Sequence, residues 1–330
     1  MLGAIFAVLS AATFALNNAA ARRGVVTGTP SQGMALTVPI GVACFLPVAV
    51  VTGEIFRLPQ FPLTAVAWMT GVGLLHFIFG RYCNYRANQE AGVNLTAPVV
   101  QLQVIVTLVL AVVVLHEPCT VLQALGGVLI LAGSFITQRQ PARPRPAAAE
   151  SAGIATLPLF SPRVLAGYVF ASLAALGYGT TPIMARFALA HTGPTTGILG
   201  GLIAYGAATL FIAAAMAWPP LRQNVMALKR ENIRWFVYSG VFVAMAQGFF
   251  YSAVAVAPVM LVMPILQLSL VFRLIFATWL TPHHEVFGRV VLTGAAISIA
   301  GSFTVAIDSH IILGALAVPE AFARVLLLPV

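Results

Sequence analysis

The 330-residue chain is 60% hydrophobic and only 8% charged, with a mean hydropathy of +0.97. Soluble domains carry about 25% charged residues, so this composition excludes a soluble protein and predicts an all-α integral membrane protein. A net charge of +9 would indicate a nucleic-acid partner in a soluble chain. In a membrane protein basic residues mark cytoplasmic loops instead, and we expect no nucleic-acid partner.

Ten apolar segments have the roughly 20 residues needed to cross a bilayer as a helix. The first has the length of a signal-peptide core, but no basic residue precedes it and Arg22 and Arg23 follow it, so we expect a retained helix. The predicted spans are 2–20, 33–52, 64–87, 94–114, 120–138, 164–187, 196–217, 235–256, 259–280 and 288–306.

One stretch of the chain occurs twice. Ala91–Gln103 returns as Ala257–Ser269, without a gap and with six of thirteen residues identical. Each copy carries a proline inside an apolar span, followed by a glutamine; these residues are Pro98, Gln101, Pro264 and Gln267. A proline breaks a helix, which a membrane tolerates only where protein or a cavity satisfies the freed groups. Duplicated broken helices are typical of transporter sites between repeats, although a kink kept for packing remains an alternative.

The two copies belong to longer halves of the chain. Arg22 matches Arg186 at a shift of 164 residues, and Gly133 matches Gly301 at 168. We predict a first five-helix repeat over 1–138, a linker rich in Pro, Arg and Ala over 139–163, a second repeat over 164–306 and a tail, either an interfacial helix or a loose segment, over 307–330. Because five is odd, the second repeat enters the membrane upside down.

This arrangement resembles the EamA-type ten-helix permeases of the drug/metabolite transporter superfamily. The likeness covers roughly residues 1–306 and includes the Ala- and Gly-rich first span, the two prolines, and Glu117 and Glu285, which follow spans four and nine. The resemblance implies a permease or exporter of small metabolites, amino acids or drug-like compounds. It also implies a cavity lined by spans one, three, four, six, eight and nine, with spans five and ten packing the halves together.

Glycines and charges make two further predictions. Gly126 and Gly133 in span five, and Gly294 and Gly301 in span ten, are heptad-spaced small residues that let two helices approach closely. Most basic residues lie in loops that follow odd-numbered spans, and this count places both termini outside the cytoplasm. Better-known members of the family that the chain resembles are described with their termini inside.

Charged residues within spans mark functional sites by default. No span contains Asp or Glu away from its ends, and Phe14–Asn18 lacks the buried glutamate with which small relatives of the superfamily export cationic drugs. Arg81 and Arg273 lie at similar depth in spans three and nine. We expect them to form a positive vestibule for an anionic or zwitterionic substrate, with snorkelling to lipid headgroups as the alternative.

Other polar residues in the spans are candidates for substrate binding. Tyr82 and Tyr85 share a helical face with Arg81, or belong to an interfacial belt. Gln101, Gln267, Asn17 and Thr181 could bind substrate or join helices. His76 is a possible proton carrier or a packing residue. We expect no catalytic residues, no metal and no cofactor, because the consecutive His283, His284 and Glu285 cannot all face one ion.

We therefore predict a secondary transporter of small anionic or zwitterionic metabolites, such as amino-acid-like compounds, that works by alternating access between inverted repeats. The alternative is a membrane-embedded enzyme acting on lipid or isoprenoid substrates, for which the sequence offers no nucleophile or carboxylate cluster. The expected location is the bacterial inner membrane, and the expected partners are the substrate and the lipid bilayer. The expected assembly is a monomer or a homodimer.

Overall fold

A computed structural model describes most of the chain. The described residues are 2–25, 28–91, 96, 99–138, 163–190, 192–269, 271–272, 275–276, 289–306 and 319–329. Within them the protein is helical, and its one β-type contact is an isolated bridge between Thr120 and Pro329. The prediction of an all-α fold is confirmed.

The helices are numbered here by the span that they occupy. In the first half they are α1 (Leu2–Val25), α2 (Pro30–Val51), α3 (Leu63–Ala91), α4 (Gln103–Leu115) and α5 (Val121–Gln138). In the second half they are α6 (Val164–Leu189), α7 (Thr196–Ala215), α8 (Arg230–Val256), α9 (Val259–Leu266) and α10 (Arg289–Ala306).

Short helices lie between or after the spans. They are a 3₁₀-helix at Glu54–Gln60, a helix at Pro219–Met226 and a tail helix at Glu320–Leu326. By length and composition, α2, α3, α6, α7 and α8 are each able to cross a membrane, and α1, α4 and α5 contain shorter apolar helices.

Equivalent helices of the two halves exchange partners. α1 packs along α8, and its counterpart α6 packs along α3. This reciprocal pairing is what a pseudo-twofold axis between two repeats requires. The core between the repeats is dominated by small residues, with Ala7, Ala11, Ala174 and Ala246 fully buried, so the helices lie close together.

α5 and α10 form the close pair that their glycines predict. A Cβ added at Gly301 would lie 2.6 Å from the Gly126 carbonyl oxygen and 2.8 Å from the Ile130 backbone nitrogen. Only a residue without a side chain allows backbones to approach so closely. The prediction that these helices pack the two halves together is confirmed.

The third span departs from the regular helix that the sequence predicted. Its middle section, Gly73–Gly80, is a π-helix, flanked by α-helix at Leu63–Val72 and Arg81–Ala91. Glycines at both ends permit close contacts: a Cβ at Gly73 would lie 2.2 Å from the Ala204 carbonyl oxygen, and one at Gly80 would lie 2.8 Å from the Tyr178 ring. π-turns of this kind are frequent at functional sites.

The fourth and ninth spans are both interrupted. In the fourth, Leu102 separates the helical residues 99–101 from α4, and its N–H donates to the Val99 carbonyl at 3.1 Å. In the ninth, α9 ends at Leu266, two residues after Pro264, and helical bonding resumes where Phe272 donates to Leu268. The interruptions occupy equivalent positions of the two repeats.

Candidate functional site

His76, in the π-helical section of α3, connects three helices in the interior of the bundle. Its Nδ1 lies 3.1 Å from Oγ1 of Thr181 on α6, and its Nε2 lies 3.1 Å from the side-chain nitrogen of Gln247 on α8. With the amide oriented this way, Gln247 donates to Nε2, so the ring is neutral and Nδ1–H donates to Thr181. The Thr181 hydroxyl then donates to the Tyr178 carbonyl at 3.0 Å. Both ring nitrogens are therefore satisfied.

Arg81 follows the π-helix directly and reaches toward α2. Its Nη1 donates to Oγ1 of Thr37 at 3.0 Å, and its guanidinium carbon lies 5.4 Å from the centre of the Phe77 ring. In the described part of the chain no carboxylate forms an ion pair with Arg81, although four other arginines have such partners. Arg81 thus presents a half-buried positive charge whose contacts are a hydroxyl and an aromatic ring.

The ring of Tyr205, on α7, is stacked on Phe77. The two ring centres are 4.1 Å apart, the Phe45 ring is 5.5 Å away, and a Cβ at Gly41 would lie 2.1 Å from the tyrosine ring. Tyr205 is 0% exposed, and no described residue forms a hydrogen bond with its hydroxyl. A buried polar group without a partner costs about 1–3 kcal/mol.

Gln101 and Gln267 meet at the helix interruptions. Nε2 of Gln101 donates to Oε1 of Gln267 at 2.5 Å, and the two residues are 166 positions apart. Since this separation equals the repeat shift, the bond joins equivalent residues across the pseudo-twofold axis. It joins the two broken helices next to their interruptions.

Glu117 and Arg186 connect the end of α8 with the start of α9. The Glu117 carboxylate accepts from the backbone N–H groups of Val259 at 2.9 Å and Met260 at 2.8 Å, at the start of α9. Arg186 lies 3.9 Å from the same carboxylate and donates to the Val254 carbonyl at 2.6 Å, near the end of α8. An acid at a helix N-terminus and a base at a helix C-terminus both complement the helix dipole.

Comparisons with known proteins agree with this architecture. The model of the EamA-like transporter family matches residues 1–139 and again residues 165–307. The chain belongs to the EamA-like transporter family. A solved structure described as "Crystal structure of protein" superposes with a TM-score of 0.66 at 16% identity, over 92% of this chain and 94% of that one, which shows the shared fold. No curated protein matches the sequence significantly.

The structure places the predicted site residues of this EamA transporter in different settings. His76 and Thr181 lie within hydrogen-bond distance of each other in the interior, and Arg81 contacts Thr37 and Phe77. Asn17 accepts a hydrogen bond from Ser239 at 2.7 Å and so joins α1 to α8, as the helix-joining alternative predicts. Tyr82 is 50% exposed, which favours the interfacial alternative for this residue.

Three predicted positions remain. Tyr85 is half-buried, one helical turn beyond Arg81. Arg273 and Pro98 lie outside the described residues, and the vestibule shared by Arg81 and Arg273 stays a prediction.

Sequence reasoning missed three participants. Thr37, Tyr205 and Gln247 lie in apolar spans whose sequence does not reveal which face is interior. For Gln247, which is 2% exposed, an amide inside an otherwise apolar segment was an available signal. Glu117 was noticed as a family feature at a membrane boundary, but its role in capping α9 depends on a contact 142 residues away.

Proposed function

We propose that this EamA-family transporter moves small anions or zwitterions that carry a carboxylate, amino-acid-like compounds among them. The observation that supports this proposal is Arg81, an interior guanidinium whose described contacts include no acid. A charge inside a membrane protein is costly unless it is paired. A guanidinium has five N–H donors in a fork that matches a carboxylate, so an anionic substrate would supply the missing partner.

The acidic residues argue against a cationic substrate. Glu117 is engaged with two backbone N–H groups and Arg186, and Glu90 pairs with Arg86 at 2.6 Å and Arg163 at 3.4 Å. Among the described residues, the interior charge without an oppositely charged partner is therefore the positive charge of Arg81.

Transport proceeds in this proposal by alternating access between the two repeats. The exchange of equivalent helices, the paired interruptions and the bond between Gln101 and Gln267 support it. In this proposal the ninth span bends at its interruption, beside Gln267. The proposed setting is the bacterial inner membrane, with the protein as a monomer or a homodimer.

His76 is the proposed proton carrier. A second proton on its ring would point at the amide nitrogen of Gln247, which also donates. Proton uptake would therefore require the Gln247 side chain to turn its oxygen toward the ring. In proteoliposomes His76→Gln is expected to abolish accumulation driven by a proton gradient and to retain substrate counterflow. If His76→Gln kept both activities, His76 would be ruled out as the carrier.

The substrate class is tested by thermal unfolding of the purified protein with anionic, zwitterionic and cationic metabolites, because a ligand that binds the folded state stabilises it. Carboxylates are expected to raise the unfolding temperature of the wild type and of Arg222→Ala, whose residue is exposed, but not that of Arg81→Ala. Arg81→Lys, which keeps the charge and loses the fork, is expected to respond weakly. Stabilisation by cations alone would overturn the proposal.

A further inference from the structure

We infer that the Tyr205 hydroxyl is a second ligand for the substrate carboxylate, beside Arg81. This inference rests on the proposed function and assigns a specificity-determining role to α7. The observations behind it are the position of Tyr205 relative to Arg81, the fixed placement of its ring and its buried hydroxyl without a described partner.

Arg81 and Tyr205 both contact Phe77. The Arg81 guanidinium carbon lies 5.4 Å from the Phe77 centre, and the Tyr205 ring is stacked on the same Phe77 at 4.1 Å. Because both groups contact the same ring, we place an anion bound to Arg81 within reach of the Tyr205 hydroxyl.

The packing of Tyr205 prevents its hydroxyl from searching for another partner. Phe77 and Phe45 confine the ring, and the space beside it at Gly41 exists only because that residue has no Cβ. A phenylalanine would fill the same volume and leave no polar atom buried. Since no described residue bonds to it, the hydroxyl is available to a substrate or to a water held by at least two polar groups.

The chemistry of the two groups is complementary. A carboxylate has two oxygens, and Arg81 can donate to one while the Tyr205 hydroxyl donates to the other. Both bonds weaken when the carboxylate is replaced by a primary amide, because hydrogen bonds to ionised groups are roughly twice as strong as neutral ones. The pair would thus select carboxylates over neutral analogues of the same shape.

The test compares Tyr205→Phe with Tyr238→Phe, the same exchange at a residue that is 51% exposed on α8. The dissociation constant of a stabilising carboxylate would be measured by calorimetry for the wild type, both variants and Arg81→Ala. Loss of a hydrogen bond to a charged group predicts that Tyr205→Phe binds about 10- to 100-fold more weakly. Tyr238→Phe should bind like the wild type.

Thermal unfolding without ligand separates a binding role from a packing role. Tyr205→Phe is expected to unfold at or above the wild-type temperature, since it removes a buried polar group. Unchanged affinity in Tyr205→Phe would overturn the inference and assign the hydroxyl to an internal water. That result, with binding still lost in Arg81→Ala, would leave the proposed function standing, whereas failure of the wild type to bind any carboxylate would overturn both.

Discussion

Two arginines inside the described bundle have opposite surroundings. Arg186 is 15% exposed, lies 3.9 Å from the Glu117 carboxylate and donates to the Val254 and Ala255 carbonyls. Arg81 contacts the Thr37 hydroxyl and the face of the Phe77 ring. The Arg186 guanidinium has acidic and carbonyl partners within the chain. The described contacts of Arg81 leave some of its N–H donors without an acceptor.

The contrast distinguishes a structural charge from a binding charge. Removing one partner of a buried ion pair strongly destabilises the protein, because the charge of the other partner stays buried without compensation. Arg81 has no acidic partner among the described residues, so its removal leaves no such charge among them. Substitutions near Arg186 should therefore reduce stability, and substitution of Arg81 should reduce binding while the fold persists.

The largest expected loss of stability follows from removing Glu117, the acidic partner of Arg186. Glu117→Ala removes two charge-assisted hydrogen bonds to the start of α9 and leaves Arg186 without its acid. We expect the free energy of unfolding to fall by about 3 kcal/mol, measured by denaturant unfolding in detergent. Glu231→Ala, at an exposed residue of α8, is the control. An equal midpoint for the two variants would show that the Glu117 contacts do not stabilise the protein.

A smaller loss of stability is expected from a substitution in the contact between α7 and α3, the span that carries Arg81. Gly73→Ala places a Cβ 2.2 Å from the Ala204 carbonyl oxygen, so one backbone must shift. Overpacking of this kind costs about 1–3 kcal/mol, and the shift should also disturb His76. Gly206→Ala has no atom within 4 Å of the new Cβ and should be neutral or slightly stabilising. Equal unfolding temperatures would contradict the described contact.

The smallest effect concerns the bond on the pseudo-twofold axis. A double-mutant cycle with Gln101→Met and Gln267→Met should give a coupling free energy of about 0.6 kcal/mol, typical of side-chain hydrogen bonds between membrane helices. A coupling of zero would show that the Gln101–Gln267 bond contributes nothing. A value far above this would show that the axis, rather than Arg81 or Arg186, is where polar contacts stabilise the protein most.

The sequence predicted the fold through its duplication. The shift of 166 residues that aligned Gln101 with Gln267 is the separation across which these side chains bond. The heptad glycines correctly predicted the contact between α5 and α10. Both features are local patterns repeated in register, which a single sequence displays.

The interior of the site was less accessible from sequence. The π-helix at Gly73–Gly80 has close contacts with α6 and α7 at its two end glycines and has no simple sequence signature. By sequence Tyr205 does not differ from any other aromatic residue of an apolar span, and its ring packs against Phe77, Phe45 and Gly41 of other helices. Tyr82 was predicted to share a helical face with Arg81, yet it is 50% exposed, because adjacent residues of a helix point about 100° apart.

The most direct test is the affinity of one carboxylate and of its primary amide for the wild type and for Arg81→Gln. Arg81→Gln keeps a hydrogen-bond donor and removes the charge. We predict that the wild type prefers the carboxylate by at least about tenfold, in line with a charge-assisted hydrogen bond, and that Arg81→Gln binds the two compounds alike without losing its fold. A preference that survives in Arg81→Gln would contradict the assignment of Arg81 as the binding charge.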